Sequence, residues 1–329
     1  MQPIKIRVTR GNFTESIHYA IACVSDSSGR IIQQWGNINK KIFPRSAIKP
    51  LQVIPLIESG AYEYLKLAPV HLAIAAASHN GEPQHTQVVK KWMGKLGLAV
   101  KDLRCGIHPP LRKENADEIL KKQKKLTPVY NNCSGKHLGM LSTALFLGKS
   151  KKTYLAINHP VQKMVIKTIE EMSNTKIKNV PKGIDGCGIP QYAIPLRSLS
   201  HAMAKFANPK NLPVRRQEAI SKIKESIQIN PHLIAGKGRF DTDCLLATNG
   251  RIISKVGAEG VLMTAVLNKD IGIAIKILDG NNRAVPAALC KILEQLKILH
   301  TYEKKRLKKW FVKPIYNHAK KYTGKIESA

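Results

Sequence analysis

Ser46 and Lys49, three residues apart, are the pair in this 329-residue chain best suited to covalent chemistry. A serine hydroxyl is a weak nucleophile until a neighbouring base takes its proton. A lysine at i+3 shares a helical face with the serine and can be that base once it is neutral. A second cation nearby lowers a lysine pKa and favours the neutral form. Lys255, in Lys255-Val256-Gly257, can supply that cation, and Ser78, in Ser78-His79-Asn80, can relay the proton to a leaving group. One Ser-x-x-Lys tetrad means little in a chain rich in serine and lysine. The ordered trio Ser-x-x-Lys, Ser-x-Asn, Lys-x-Gly points to Ser/Lys acyl transfer. Taken alone, Ser46 behind Pro44-Arg45 would serve as a helix cap, a position serine favours. Backbone N–H groups at such a helix start could also stabilise an oxyanion.

A second group of residues suggests a metal. Cys133 lies in Asn131-Asn132-Cys133-Ser134-Gly135-Lys136-His137, and Cys187 lies in the glycine-rich stretch Gly183-Ile184-Asp185-Gly186-Cys187-Gly188-Ile189-Pro190. Two thiols with His137 and Asp185 close by in sequence would favour zinc. The spacing fits no standard finger, and the third protein ligand stays open, with His137 ranking ahead of Lys136. Glycine on both sides of Cys187 suggests that backbone there approaches a bound group closely. The six cysteines, Cys23, Cys105, Cys133, Cys187, Cys244 and Cys290, are too sparse for a disulfide scaffold and otherwise read as reduced thiols, Cys23 and Cys290 as buried ones.

The net charge of +32 would attract nucleic acid or anionic lipid without sequence specificity. The lysines are spread along most of the chain, however, and no aromatic residues interleave with them as stacking platforms. No dedicated nucleic-acid partner is expected. No apolar run approaches membrane-spanning length, and Met1-Gln2-Pro3-Ile4-Lys5 lacks the apolar core of a secretory signal, so a soluble cytoplasmic protein is expected.

These residues need elements to hold them. Strands are predicted over 5–9, 17–25 and 30–35, then again over 251–256, 260–268 and 271–278, with a hairpin turn at Asn268-Lys269-Asp270. Helical periodicity runs over 46–57, 69–77, 83–96, 114–124, 136–147, 160–173, 195–206 and 215–227, and a closing helix over 284–296. The economical arrangement is α+β: one antiparallel sheet built from 1–40 and 245–300, with a helical region over 44–240 between. Residues 1–300 then form one domain, and 301–329 a basic tail that packs loosely, despite the small apolar face of Leu307, Trp310 and Phe311.

Taken together, Arg45-Ser46-Ala47-Ile48-Lys49-Pro50, Ala77-Ser78-His79-Asn80-Gly81-Glu82, Asn132 to His137, Asp185-Gly186-Cys187-Gly188 and Lys255 to Gly260 resemble the rhizobial-type L-asparaginases, the class 3 or asparaginase II family. The resemblance extends from the first strand to Leu296. It implies the fold of serine β-lactamases and glutaminases, and hydrolysis of L-asparagine to aspartate and ammonia. It implies Ser46 as nucleophile with Lys49, Ser78 and Lys255 as its activating network. It also implies zinc on Cys133, Lys136 and Cys187, close to the serine. Arg45, Asn80, His137 and Asp185 are the candidate substrate-binding residues, Asp185 and Arg45 having charges suited to an α-ammonium and an α-carboxylate. A homodimer is expected. The Thr-Gly-Gly-Thr signature of the other bacterial asparaginases is absent. Competing readings keep the Ser/Lys machinery for glutamine, a β-lactam or a peptide, or make the chain a non-catalytic basic binding protein.

Overall fold

A computed structural model describes residues 1–329, which cluster into two compact units. The first comprises residues 1–47, 193–208 and 243–329; the second, residues 48–192 and 209–242.

The first unit is built on an eight-stranded sheet. Its strands are β1 (Ile4–Arg10), β2 (Phe13–Asp26), β3 (Ile31–Trp35), β4 (Ile252–Gly257), β5 (Val261–Val266), β6 (Ile271–Ile277), β7 (Val312–Tyr316) and β8 (Tyr322–Ser328). The order is β7-β8-β1-β2-β6-β5-β4, with β3 also on β2, and every pairing is antiparallel. The first half of β2 alternates between exposed and less exposed residues, whereas Ala20–Val24 is buried throughout. Continuous apolar character there suits a strand covered on both faces. One cover is the helix Leu196–Ala207, which comes so near β6 that a Cβ on Gly272 would lie 2.0 Å from Ser200 O. The helix Val285–Gln295 packs on β6, β8 and β1.

Both sheet segments expected from the sequence are present, so the antiparallel sheet drawn from both chain ends stands. The C-terminal segment differs from its expectation. Instead of packing loosely, 301–329 forms the helix Thr301–Phe311 and the β7–β8 hairpin, and β8 pairs with β1 through Ile6↔Ser328 and Val8↔Ile326. Two features hold it. Leu307 is fully buried, and Glu303, also inaccessible, takes a forked contact from Arg251.

The second unit is helical, with the short helix Pro69–Ala75 at its centre. Helices Ser134–Phe146 and Val214–Ile229 pack against it. The first of these crosses very closely, since a Cβ on Gly135 would lie 2.2 Å from Ile74 O. Arg216, 6% exposed, donates to Glu58 Oε2 at 2.9 Å and Glu171 Oε2 at 3.0 Å, tying three helices together. The helix expected over 46–57 is broken into a 3-10 turn Arg45–Ile48 and helices Lys49–Gln52 and Ile54–Glu58. Pro50 and Pro55 each open one of these pieces, because a proline lacks the N–H an uninterrupted helix requires.

Candidate active site

Of the predicted site residues, Arg45, Ser46 and Lys255 lie in the sheet unit and the other eight in the helical unit. In the sheet unit, Ser46 sits on the 3-10 turn Arg45–Ile48. The helix that follows has Ile48 at its N-cap, with no side-chain cap bond, so capping is not what Ser46 does. Arg45 has φ +51°, a left-handed conformation that costs a non-glycine residue roughly 1–3 kcal/mol and that clusters at functional sites. The terminal strand β4 abuts this turn: a Cβ on Gly257 would fall 2.7 Å from Pro44 O and 3.0 Å from Ala47 N. Glycine in the Lys-x-Gly triplet is therefore required for the strand to come this close. Two residues earlier on β4, Lys255 is fully buried, and its Nζ donates to Val256 O at 2.6 Å.

In the helical unit, Lys49 is fully buried. Its Nζ lies 2.5 Å from Ala77 O, 3.2 Å from Asn132 O and 3.0 Å from Ser78 Oγ. Burial comes first in pulling the Lys49 pKa down, and Lys136 pushes the same way, against Cys133 and Cys187. Nζ thus donates to two carbonyls and to the Ser78 hydroxyl, and it is burial, not these partners, that favours the neutral amine. Ser78 is fixed in turn by its N–H to Ile234 O at 3.0 Å.

The 78–82 loop is stitched to 234–239. Asn80 N donates to Ala235 O at 2.8 Å, while its side chain donates to Glu82 Oε1 and Lys237 O, both at 3.1 Å, and accepts from Arg239 Nη1 at 3.0 Å. The Asn80 amide is thus committed within the chain. His79, its pKa well below the ordinary value through burial, accepts Gly81 N–H at Nδ1. The other nitrogen donates to Ser134 Oγ at 2.9 Å, and Ser134 donates onward to Val129 O. That chain links the Ser78 loop to the Cys133 turn. Sequence reasoning missed it, although Ser78-His79 and Cys133-Ser134 both stood inside quoted motifs.

The thiol cluster lies on the turn that starts helix Ser134–Phe146 and on a hairpin tip. Asn131 braces the turn by accepting Cys133 N–H at 2.8 Å and donating to Cys105 O at 2.8 Å. Strands Lys182–Ile184 and Pro190–Tyr192 pair to present Asp185 and Cys187. The flanking glycines shape the hairpin tip. Gly188 has φ +83°, and a Cβ on Gly186 would meet nothing within 4 Å.

Lys136 Nζ is 3.0 Å from Cys187 Sγ, which lies 3.7 Å from Asp185 Oδ2. A hydrogen bond from Cys133, helped by the Lys136 charge against the opposing effect of burial, brings Cys187 down to about 5. The same bond and burial push Cys133 up to about 12. Burial alone would lower Lys136, but Cys187, Cys133 and Asp185 raise it further than burial depresses it.

Two soft sulfurs and an amine, all nearly inaccessible, form a donor set that suits zinc. No group of three or more His, Cys, Asp or Glu is placed to bind a metal, so the fit depends on Lys136 as third donor. His137, the residue ranked ahead of it from sequence, is hydrogen-bonded at Nδ1 to the Tyr154 hydroxyl at 2.6 Å, and that hydroxyl also takes Arg104 N–H at 3.0 Å. Its Nε2 is buried without a partner, and burial followed by Lys136 lowers its pKa to about 3.

These features belong to a serine-type amidohydrolase. A family model described as L-asparaginase II matches residues 6–328, and the chain belongs to that family. The match takes in the C-terminal segment that the sequence motifs left out. No curated protein matches. Among solved structures, a β-lactamase from Mycobacterium bovis is 13% identical, with 84% of this chain and 94% of that one covered and a TM-score of 0.45. A D-alanine carboxypeptidase from Burkholderia cenocepacia is 12% identical, with 88% and 91% covered and a TM-score of 0.39. No helix is long and apolar enough to cross a membrane.

Proposed function

We propose that the protein hydrolyses L-asparagine to L-aspartate and ammonia through an acyl-enzyme on Ser46. The observation that carries this reading is Lys49: fully buried, shifted toward its neutral form, hydrogen-bonded to Ser78 at 3.0 Å, and three residues after Ser46. Three residues of chain span at most roughly 11 Å, so serine and lysine stay close in any arrangement of the backbone.

Ser46 Oγ adds to the side-chain amide carbon of asparagine as its proton passes to Lys49 Nζ. Lys49 returns a proton through the Ser78 hydroxyl to the amide nitrogen; the C–N bond breaks, ammonia leaves, and a β-aspartyl ester remains. Water then adds to the ester carbon, giving its proton to Lys49, and Ser46 Oγ recovers that proton as aspartate departs. Lys255 supplies fixed positive charge. Arg45 and Asp185 match the α-carboxylate and α-ammonium of the substrate, and the unpartnered His137 Nε2 suits a polar group of the substrate. Asn80 acts by holding the Ser78 loop. Cys133, Lys136 and Cys187 would hold a zinc ion, which when bound supplies positive charge that organises substrate binding.

Glutamine differs by one methylene, which contributes only about 1–3 kcal/mol of discrimination, so slower glutamine hydrolysis is expected. A homodimer is part of the same reading and is checked by light scattering. The test of function is ammonia release from asparagine and glutamine. Wild-type protein should favour asparagine and Ser46→Ala should release none; near-wild-type turnover by Ser46→Ala would remove the acyl-enzyme.

A further inference from the structure

The C-terminal segment, expected to be loose, is instead a folded basic surface with a groove in it. The groove, about 510 Å³, lies between helix Thr301–Phe311 and the β7–β8 hairpin. Its apolar lining comes from Phe311, Val312, Pro314 and Tyr322, and its rim carries Lys305, Arg306, Lys308, Lys309 and Lys325.

The charge on this surface has one sign. Residues 301–329 contain nine Lys or Arg and two acids, Glu303 and Glu327. Glu303 is inaccessible beneath Arg251, and Glu327 is held by Arg7 and Lys325. Lys304 and Lys309 pair with Glu294 and Asp243, while Lys305, Arg306 and Lys308 have no carboxylate partner. Aromatic rings stand among these cations. Tyr322 is 52% and Tyr316 58% exposed, their ring centroids 6.2 Å apart, and Lys309 and Lys313 lie over the Trp310 ring. Aromatic residues fall among the cations in the sequence here, at Trp310-Phe311, Tyr316 and Tyr322, and folding gathers them on one surface.

We propose that this groove binds single-stranded nucleic acid. Its rim cations fit phosphates spaced along a flexible backbone, and the exposed tyrosines offer faces on which unpaired bases stack. A duplex presents no free base faces. A bilayer calls for apolar side chains that protrude, whereas the apolar residues here line a concavity.

The test is fluorescence anisotropy of a labelled twelve-nucleotide oligouridylate on the full chain, across a salt series. With about four phosphates engaged, log Kd against log salt should have a slope of magnitude about 3. The triple variant K305E/R306E/K308E should weaken binding at least about tenfold and flatten the slope, and K305Q/R306Q/K308Q should do so less steeply. Tyr322→Ala should weaken binding about fivefold. K121E/K124E/K125E changes the net charge equally at exposed lysines of the other unit and should have little effect. Ammonia release should be unchanged in all of them. Equal losses from the two reversals, no effect of Tyr322→Ala, tighter binding of a duplex, or retention on phosphatidylserine vesicles in place of RNA would each overturn the proposal.

Discussion

Lys49 and Lys136 are both buried in the helical unit, yet their surroundings push them in opposite directions. Lys49 meets two backbone carbonyls and a hydroxyl, so burial prevails and its proton is held weakly. Lys136 meets the Cys187 sulfur at 3.0 Å, with Cys133 and Asp185 beside it, and its proton is held strongly. Burial sets the size of an electrostatic effect, and the partner sets its sign. Under the proposed function this is a division of labour: Lys49 would be the base, whereas Lys136 would be a cation paired with Cys187 until a bound metal displaced its proton.

Arginine substitution breaks this comparison most sharply, since a guanidinium cannot give up its proton. Lys49→Arg should reduce asparagine turnover as far as Ser46→Ala, roughly 10⁴-fold or more in kcat, because residues acting as one unit fail together. Lys136→Arg should keep the ion pair with Cys187 and the fold but lose zinc. Elemental analysis should find about one zinc per wild-type chain. Cys187→Ser should weaken zinc binding more than about a hundredfold and raise KM more than it lowers kcat. Full activity in rigorously zinc-free protein would remove the metal.

The approach of β4 to the Ser46 turn gives a smaller effect. Gly257→Ala places a methyl group 2.7 Å from Pro44 O, so the strand must shift. A fall of about tenfold in kcat/KM is expected, since small misplacements of reacting groups cost up to about 10²-fold. Unfolding midpoints near wild type would assign the loss to position.

The smallest effect is on stability. Lys49 titrates lower folded than unfolded, so its contribution grows as pH rises from the folded midpoint toward the unfolded value near about 10.4. Lys136 titrates higher folded than unfolded, so its contribution is present below about 10.4 and is lost as pH rises through the folded midpoint. Urea unfolding of zinc-free protein should show Lys49→Met removing the first slope and Lys136→Met the second.

Local motifs exposed the chemistry better than its control. Ser-x-x-Lys, Ser-x-Asn and Lys-x-Gly were legible because each joins a few residue types at short spacing, and the sheet was legible because β4, β5 and β6 are mostly apolar and rich in β-branched residues between turns. Three things were not. The lowering of Lys49 was ascribed to Lys255, whereas burial heads its causes, and burial depends on packing. The surroundings of His137, its Nδ1 bonded to Tyr154 and its Nε2 buried without a partner, depend on packing that the sequence does not show. The β7–β8 hairpin was hidden because lysines and Pro314 mask the strand pattern, while its pairing partner β1 lies some three hundred residues away in the chain.

The most direct test of the central claim, that Lys49 is the base, is an NMR titration of lysine side chains in the resting enzyme, with the Lys49 signal assigned by its loss in Lys49→Met. The account predicts a Lys49 midpoint below the ordinary lysine value of about 10.4, coincident with the rise of kcat/KM for asparagine, which increases as the amine becomes neutral. His79 and His137, already neutral at acidic pH, should add no inflection near about 6.5. A Lys49 midpoint at or above about 10.4, or a rate profile that follows a histidine instead, would contradict the assignment.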